Sequence, residues 1–379
     1  MKIVLAFDSW KGSLSAVEAC SAAATGLRRL VPVPYIVACP LSDGGEGFLD
    51  TIAIATGGVP RHYQVTGPMG TPVSAAILFL QDGEIAIIEA ASVCGLHLVP
   101  AGFRDPGKIK TTGLGELVNL AAANGAREII LGLGGSASND AGIGLLTALG
   151  WRFVDAKGRL VDPCGDSLVH VSTIVAPSRR FPATLTAACD VRNPLFGPAG
   201  AAVVYAPQKG ASPADVIALD AGLRKFAATS AIALGEDFSG RVGAGAAGGL
   251  GFALMAFLKA RFRPGAELAI ELSGLREHVI DADLCITGEG QTDRQTASGK
   301  LPAAVGILCR EYGVPCVCLS GSLGNGAGAV HESGITSVLS VIQTPGTLED
   351  AVLATPRTLA DTAEAIGRLT SFRQAPERV

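Results

Sequence analysis

Short apolar runs alternate with amphipathic stretches at both ends of the chain. KIVLAF (2–7) predicts a strand, and SAVEACSAAATGLRRL (15–30) a helix capped by Ser13 or Ser15. PYIVACPL (34–41) predicts a second strand and EGFLDTIAIAT (46–56) a second helix. The pattern returns in DADLCIT (281–287), PAAVGILCREYG (302–313), VPCVCLSG (314–321), TSVLSVI (336–342) and LEDAVLATPRTLADTAEAIGRL (348–369). Strands alternating with helices imply parallel βαβ units with helices on both faces of a sheet.

The middle follows another rhythm. RHYQVT (61–66), PVSAAILFL (72–80) and EIAIIEAA (84–91) are separated by GPMG and by Gln81-Asp82-Gly83, a hairpin signal. WRFVDAKGRLV (151–161) resembles a further hairpin, and GLGELVNLAAANGA (113–126) and ASPADVIALDAGLRKFAATSAIAL (211–234) read as helices. The expected fold is α/β with two domains. One is a doubly wound, Rossmann-like parallel-sheet domain built from both chain ends, residues 1–60 plus 278–379. The other is an inserted mixed α+β domain, residues 61–277, with 110–140 fitting either and the active site in the cleft between the two. SFRQAPERV (371–379) reads as a polar tail.

Composition narrows the function. The 379 residues are 48% hydrophobic and 17% charged with a net charge of −4, and no basic patch stands out, which argues against nucleic acid as a partner. No apolar run approaches the roughly 18–20 residues that cross a bilayer. MKIVLAFD reaches Asp8 after too short an apolar run for a signal peptide, so the expectation is a cytoplasmic protein. The nine cysteines show no CxxC and lie among apolar residues, as reduced core cysteines rather than disulfides or zinc ligands. His62, His97, His170, His278 and His331 form no HxxxH pair, and GxSxG is absent.

Six apolar runs end in clusters of Gly, Ser and Asp: at 8–13, 42–47, 134–140, 190–194, 288–293 and 321–326. Ligands of open α/β sheets bind beyond the carboxyl ends of strands. Gly, Asp and Ser are also ordinary turn and cap residues, so any one cluster alone reads as a turn. Lys11, Glu46, Asp293, Arg294 and Lys300 are not turn formers, and as a set they suggest one shared polar site. Gly134-Gly135-Ser136-Ala137-Ser138 ahead of a helix DAGIGLLTALG (140–150) suits a phosphate. Carboxylates would hold Mg²⁺, lysines would neutralise transferring charge, and a further Asp could accept a hydroxyl proton. Those are the parts of a phosphotransferase. Gly299-Lys300-Leu301 is no Walker A motif. Gly243-Ala244-Gly245-Ala246-Ala247-Gly248 spells GxGxxG after a poor strand. It reads as a tight entry to the helix GLGFALMAFLKARF rather than an NAD site.

Together, DSWKGSLSA (8–16), PLSDGGEGFLD (40–50), GLGGSASNDAGIG (132–144), CDVRNPLFGPAGAAVVYAPQKGA (189–211), GAGAAGGLGFAL (243–254) and ITGEGQTDRQTASGKLPAAV (286–305) resemble the type I glycerate kinases, in the family's order and over nearly the whole chain. Trp10 stands where the family often has Phe, and Ser138 and Ala141 where it has Thr or Gly. The resemblance implies ATP-dependent phosphorylation of D-glycerate, on the 2-hydroxyl, giving 2-phosphoglycerate and ADP. On the matching positions it implies Asp190 as general base or turn cap, with Lys11 and Asp43 also catalytic. Asp8, Ser9, Glu46, Arg192 and Asn193 fall to substrate binding. Gly134, Gly135, Ser136, Ser138, Asn139, Lys209 and Lys300 fall to nucleotide phosphates, and Glu289 and Asp293 to Mg²⁺ or helix-dipole compensation. Asp140 is expected to cap its helix. The histidines receive no role. Homo-oligomerisation stays open. The rival readings are a phosphotransferase for another small hydroxy acid or polyol, a non-catalytic nucleotide or sugar-acid sensor, and an NAD-dependent oxidoreductase.

Overall fold

The structure is a computed structural model that describes residues 1–371. The expected polar tail therefore lies, beyond Ser371, outside the described residues. Among those described, the strands in chain order are β1 (Lys2–Phe7), β2 (Tyr35–Ala38), β3 (Arg61–Thr66), β4 (Pro72–Leu80), β5 (Ile85–Glu89), β6 (Glu128–Gly132), β7 (Arg152–Val154), β8 (Thr173–Val175), β9 (Thr184–Ala188), β10 (Arg261–Arg263), β11 (Leu284–Thr292), β12 (Cys316–Leu323) and β13 (Ser337–Ser340). They fall into two compact units. The first holds residues 1–43, 50–57 and those from Gly265 on, and the second 44–49 and 58–264. The helices Gly265–Ser273 and Leu275–Val279 belong to the first unit, because they pack on the helix Leu301–Glu311 and on β1.

The first unit is a five-stranded sheet in the order β13-β12-β11-β1-β2, parallel throughout. One face of β1, β11 and β12 sends Ile3, Leu5, Phe7, Leu284, Ile286, Val317 and Leu319 into a core shared with the helices Ala16–Leu27 and Leu348–Ser371. Burying each such side chain contributes roughly 1.5–3 kcal/mol. Those two helices approach so closely that a Cβ at Gly26 would overlap the Ala360 carbonyl. Ser15, not Ser13, caps the first helix: its hydroxyl accepts from the Glu18 N–H at 3.2 Å, while the Glu18 carboxylate accepts from the Ser15 N–H at 2.8 Å.

The second unit carries a six-stranded sheet in the order β10-β9-β6-β5-β4-β3. β3, β4 and β5 are antiparallel, and the Gln81–Gly83 connection has positive φ at all three residues, so the hairpin forms as expected. β5, β6, β9 and β10 are parallel. In residues 151–161 the Asp155 N–H donates to the Arg159 carbonyl and Val154 bridges Leu160, but the ladder partner of β7 is β8.

Three elements depart from expectation. β11 does not stop at Thr287 but runs on to Thr292, still paired with β12. The helix GLGFALMAFLKARF ends at Ala256, because Lys259 takes φ +53° and turns the chain into β10. The helix expected from Asp140 begins only at Ile143, after positive φ at Ala141 and Gly142, and spans six residues. No helix among the described residues is long and apolar enough to cross a membrane.

Candidate active site

In the first unit the sheet delivers several charged residues to the carboxyl ends of its strands. Asp8 follows β1 directly, its N–H bonded to the Gly288 carbonyl at 3.0 Å and its carboxylate accepting from the Ser9 N–H at 2.7 Å. β2 continues beside β1 through Cys39 and Leu41, which places Asp43 past its end. Glu289 lies on the extension of β11, opposite Ser320 of β12. Burial pushes the Asp8 carboxyl up to about 8, with the Asp43 carboxylate adding to the rise and Glu289 contributing less, against the Ser9 N–H and the Lys11 ammonium. Lys11, Asp43 and Glu289 thus all act on the Asp8 carboxyl, the last two from positions remote in sequence.

Glu289 is 7% exposed. Its Oε1 accepts from Thr296 Oγ1 at 2.6 Å and from Thr292 Oγ1 at 3.1 Å, and its Oε2 lies 3.8 Å from Lys300 Nζ. Burial raises its pKa, and the Thr296 hydroxyl opposes the rise most strongly, followed by the Lys300 ammonium. Thr292 also pairs with Ser320 Oγ at 2.6 Å. Sequence reasoning passed over Thr292, Thr296 and Ser320. Their signal was available: both threonines lie in the same motif as Glu289. Asp293 is partly committed, its Oδ1 accepting from the Gln295 N–H at 2.7 Å while its own N–H donates to Thr296 Oγ1 at 3.2 Å. Lys300 occupies the cap position of the helix Leu301–Glu311, and Lys11 is exposed. The buried Trp10 indole Nε1 has no partner among the described residues.

In the second unit the stretch 134–142 runs into the six-residue helix Ile143–Ala148, with Gly142 at the cap position. Much of its backbone is already engaged: the N–H groups of Gly134, Ala137, Asn139 and Ala141 donate to the carbonyls of Gly44, Cys94, Pro106 and Gly248. Gly135 accepts from the Leu96 N–H at 3.0 Å. Asp140 is fully buried and accepts from Thr111 Oγ1 at 2.7 Å, from the Thr111 N–H at 3.0 Å and from the Gly142 and Gly144 N–H groups. It pins the loop, as a cap does, and burial raises its pKa in spite of these bonds. The glycine motif at 243–248 backs the same loop. Gly248 has φ +69°, and a Cβ there would overlap the Ser138 carbonyl. Protein backbone fills the approach that a dinucleotide would need at that glycine.

Lys209 is buried beneath this loop. Its ammonium donates to the Ser138 carbonyl at 2.7 Å and to Ser136 Oγ at 3.1 Å. Burial pushes it down to about 8, with Cys94 and Asp140 opposing. Ser138 and Asn139 are fully buried, yet Ser138 Oγ and both amide atoms of Asn139 have no partner among the described residues. Unsatisfied buried polar groups of this kind cost about 1–3 kcal/mol each and point to a missing ligand or water.

Asp190 and Arg192 are exposed in the segment after β9. The Asn193 amide is used by the fold: its Nδ2 donates to the Ala199 carbonyl and its Oδ1 accepts from Tyr205 Oη, both at 2.7 Å. Glu46 is exposed. A nearby carboxylate that the sequence reading missed, Glu89, is 8% exposed and accepts from the Gly47 and Leu49 N–H groups at 3.2 and 3.3 Å, fixing the segment that carries Glu46. A cavity of about 570 Å³ in this unit is lined by Pro68, Met69, Phe103, Arg104, Lys108 and Lys110 among others. It contains none of the expected site residues, and Lys108 and Lys110 are already paired with Asp105 and Asp162.

The sequence of the chain matches the model of the glycerate kinase family over residues 3–371. The chain belongs to the glycerate kinase family. It is 44% identical over 354 residues to the glycerate 2-kinase of Escherichia coli K12, covering 93% of each chain, and 42% identical over 354 residues to the glycerate kinase of Bacillus subtilis 168, again covering 93% of each. A crystal structure assigned as glycerate kinase 2 from Salmonella typhimurium LT2 superposes with a TM-score of 0.83 at 40% identity, over 99% of this chain and 100% of that one. Membership makes this chain an enzyme of the kinase class, and the sensor and oxidoreductase readings fall away.

Proposed function

We propose that this glycerate kinase family member transfers the γ-phosphoryl group of ATP to the 2-hydroxyl of D-glycerate, giving 2-phosphoglycerate and ADP. The observation that carries the reading is the carboxylate group of Asp8, Asp43 and Glu289 set beside Lys11 and Lys300. Burial, then Asp43 and Glu289, push the Asp8 carboxyl up to about 8, and such a group of carboxylates fits a divalent cation. Asp8, Asp43 and Glu289 would hold Mg²⁺, with Asp293 shaping the turn that carries Thr296. When bound, the ion would neutralise charge on the nucleotide phosphates.

The remaining chemistry belongs to the chain. Asp190 accepts the proton of the attacking hydroxyl as its oxygen bonds to the γ-phosphorus. The bond from that phosphorus to the β–γ bridging oxygen breaks, and ADP leaves. Lys11 and Lys300 offset the charge on the transferring group. Arg192, Ser9 and Glu46 bind the carboxylate and hydroxyls of the substrate. Ser138 and Asn139, whose buried polar atoms lack partners, take phosphate or ribose oxygens over the Lys209 brace, together with Gly134, Gly135 and Ser136.

The test is a coupled assay of ADP release from purified protein with Mg-ATP and D-glycerate, followed by NMR of the product. A phosphomonoester at carbon 2 is expected. Turnover with another hydroxy acid but not with D-glycerate would overturn the substrate assignment. A carbon-3 ester would overturn the position. Undiminished turnover after removal of divalent ions would overturn the metal.

A further inference from the structure

Three of the nine cysteines converge on one point in the first unit. Cys285 lies on β11, Cys316 opens β12, and the parallel register sets them side by side. Their neighbours Leu284, Ile286 and Val317 enter the core beneath the helices Ala16–Leu27 and Leu348–Ser371. Strand alternation therefore turns Cys285 and Cys316 to the opposite face, where Cys309 of the helix Leu301–Glu311 meets them. All three are fully buried, and their Sγ atoms lie within 4.8 Å of one another. The chief groups acting on them are one another and, for Cys285, also Cys39.

We propose that Cys285, Cys309 and Cys316 form a three-thiolate site for one trivalent thiophilic centre of the arsenite class. Geometry sets the coordination number. Bonds of about 2.3 Å to one centre place three sulfurs roughly 3.4–4 Å apart, within the 4.8 Å limit that already holds these Sγ atoms. Structural zinc takes four ligands, and this group has three. Charge sets the valence. Three thiolates bring three negative charges into an apolar interior, where unbalanced charge is costly. A monovalent ion leaves two of those charges and a divalent ion one, whereas a trivalent centre leaves none.

The reaction balances without an oxidant. Arsenite enters as the neutral trihydroxide. Three arsenic–oxygen bonds break, three arsenic–sulfur bonds form, and each thiol proton leaves with a hydroxide as water. Entry needs a local opening of the helix Leu301–Glu311, so binding is slow. Once bound, the centre ties together β11, β12 and that helix. These elements carry Glu289 and Lys300, so the adduct stiffens their frame.

The experiment uses the full chain with arsenite, freed of excess reagent and read by native mass spectrometry. One arsenic per chain, with loss of three hydrogens, is expected, along with a raised thermal midpoint. Time-resolved alkylation and peptide mapping with and without arsenite should find the modification of Cys285, Cys309 and Cys316 slowed by arsenite and that of the other six cysteines unchanged. Cys309→Ser and Cys316→Ala, checked for native circular dichroism, should lose the stoichiometric adduct, while Cys94→Ser keeps it. Absence of an adduct on the native chain, protection of other cysteines, or survival of the adduct in both cluster variants would overturn the site. Displacement by equimolar zinc would overturn the choice of a trivalent centre.

Discussion

The Lys209 ammonium donates to the Ser138 carbonyl oxygen across 2.7 Å, a contact between residues 71 positions apart that lies wholly inside the second unit. The cation is buried with carbonyl and hydroxyl partners, and its pKa falls to about 8. An unfolded lysine holds its proton to about 10.4. Between roughly pH 8 and 10.4 the unfolded chain therefore binds more protons, and stability rises with pH across that window. Below it the full cost of the buried charge remains. Urea denaturation of the wild type and of Lys209→Met should show the wild type gaining up to about 3 kcal/mol on the variant over that window. A difference that stays flat with pH would mean the lysine titrates normally.

Thr296 holds the Glu289 carboxylate. Its hydroxyl gives the shorter of two hydroxyl bonds to that carboxylate and opposes the rise in pKa that burial imposes. A hydrogen bond to a charged group is worth about 1.5–3 kcal/mol. Thr296→Val should therefore lower kcat/KM by about 10- to 100-fold and raise the Mg²⁺ concentration needed for half-maximal rate. Thr296→Ser restores the hydroxyl and should recover most of both. If Val and Ser behave alike, the contact serves packing and not the carboxylate.

The periodicity of the sequence revealed most elements, because short strands and amphipathic helices each leave a local signal. The Ser15 cap and the Asp82-Gly83 hairpin were equally local. What stayed hidden depended on neighbours far along the chain. Gly288-Glu289-Gly290 reads as a loop in isolation and is strand only because β12 accepts it at close range. Lys209 in PQKG reads as a clamp for nucleotide phosphates, and its burial against Ser136 and Ser138 depends on serines some 70 residues earlier. Cys285 and Cys316 look like core filler until the parallel register pairs them. The motif glycines at 134–138 suggested a cradle on a helix end, and only the Asp140 bonds reveal a loop pinned from below.

Close approach at Gly288 gives a contrast with Gly290. A Cβ on Gly288 would overlap the Leu319 carbonyl and lie 3.0 Å from the Phe7 ring, whereas one on Gly290 would meet nothing nearer than 3.7 Å. Gly288→Ala should cost about 1–3 kcal/mol in thermal or urea unfolding, with activity reduced because Glu289 is the next residue on the strand. Gly290→Ala should sit near wild type in stability. Equal behaviour of the two variants would show that β11 and β12 can move apart at little cost.

Asp190 follows β9, which pairs with parallel neighbours on both sides, and the N–H of Cys189 is tied to the Arg263 carbonyl at 3.0 Å. Asp190 thus stands just past the carboxyl end of an interior strand, where open α/β sheets gather ligands. As general base it removes the hydroxyl proton during attack, a contribution of about 10²–10⁴ in rate. Asp190→Asn keeps shape and loses basicity, so kcat should fall by roughly 100-fold or more while KM for ATP changes little. If Asp190 only capped its turn, the asparagine, itself a good capping residue, would leave turnover near the wild-type rate, and the base would have to be sought among Asp8 and Asp43.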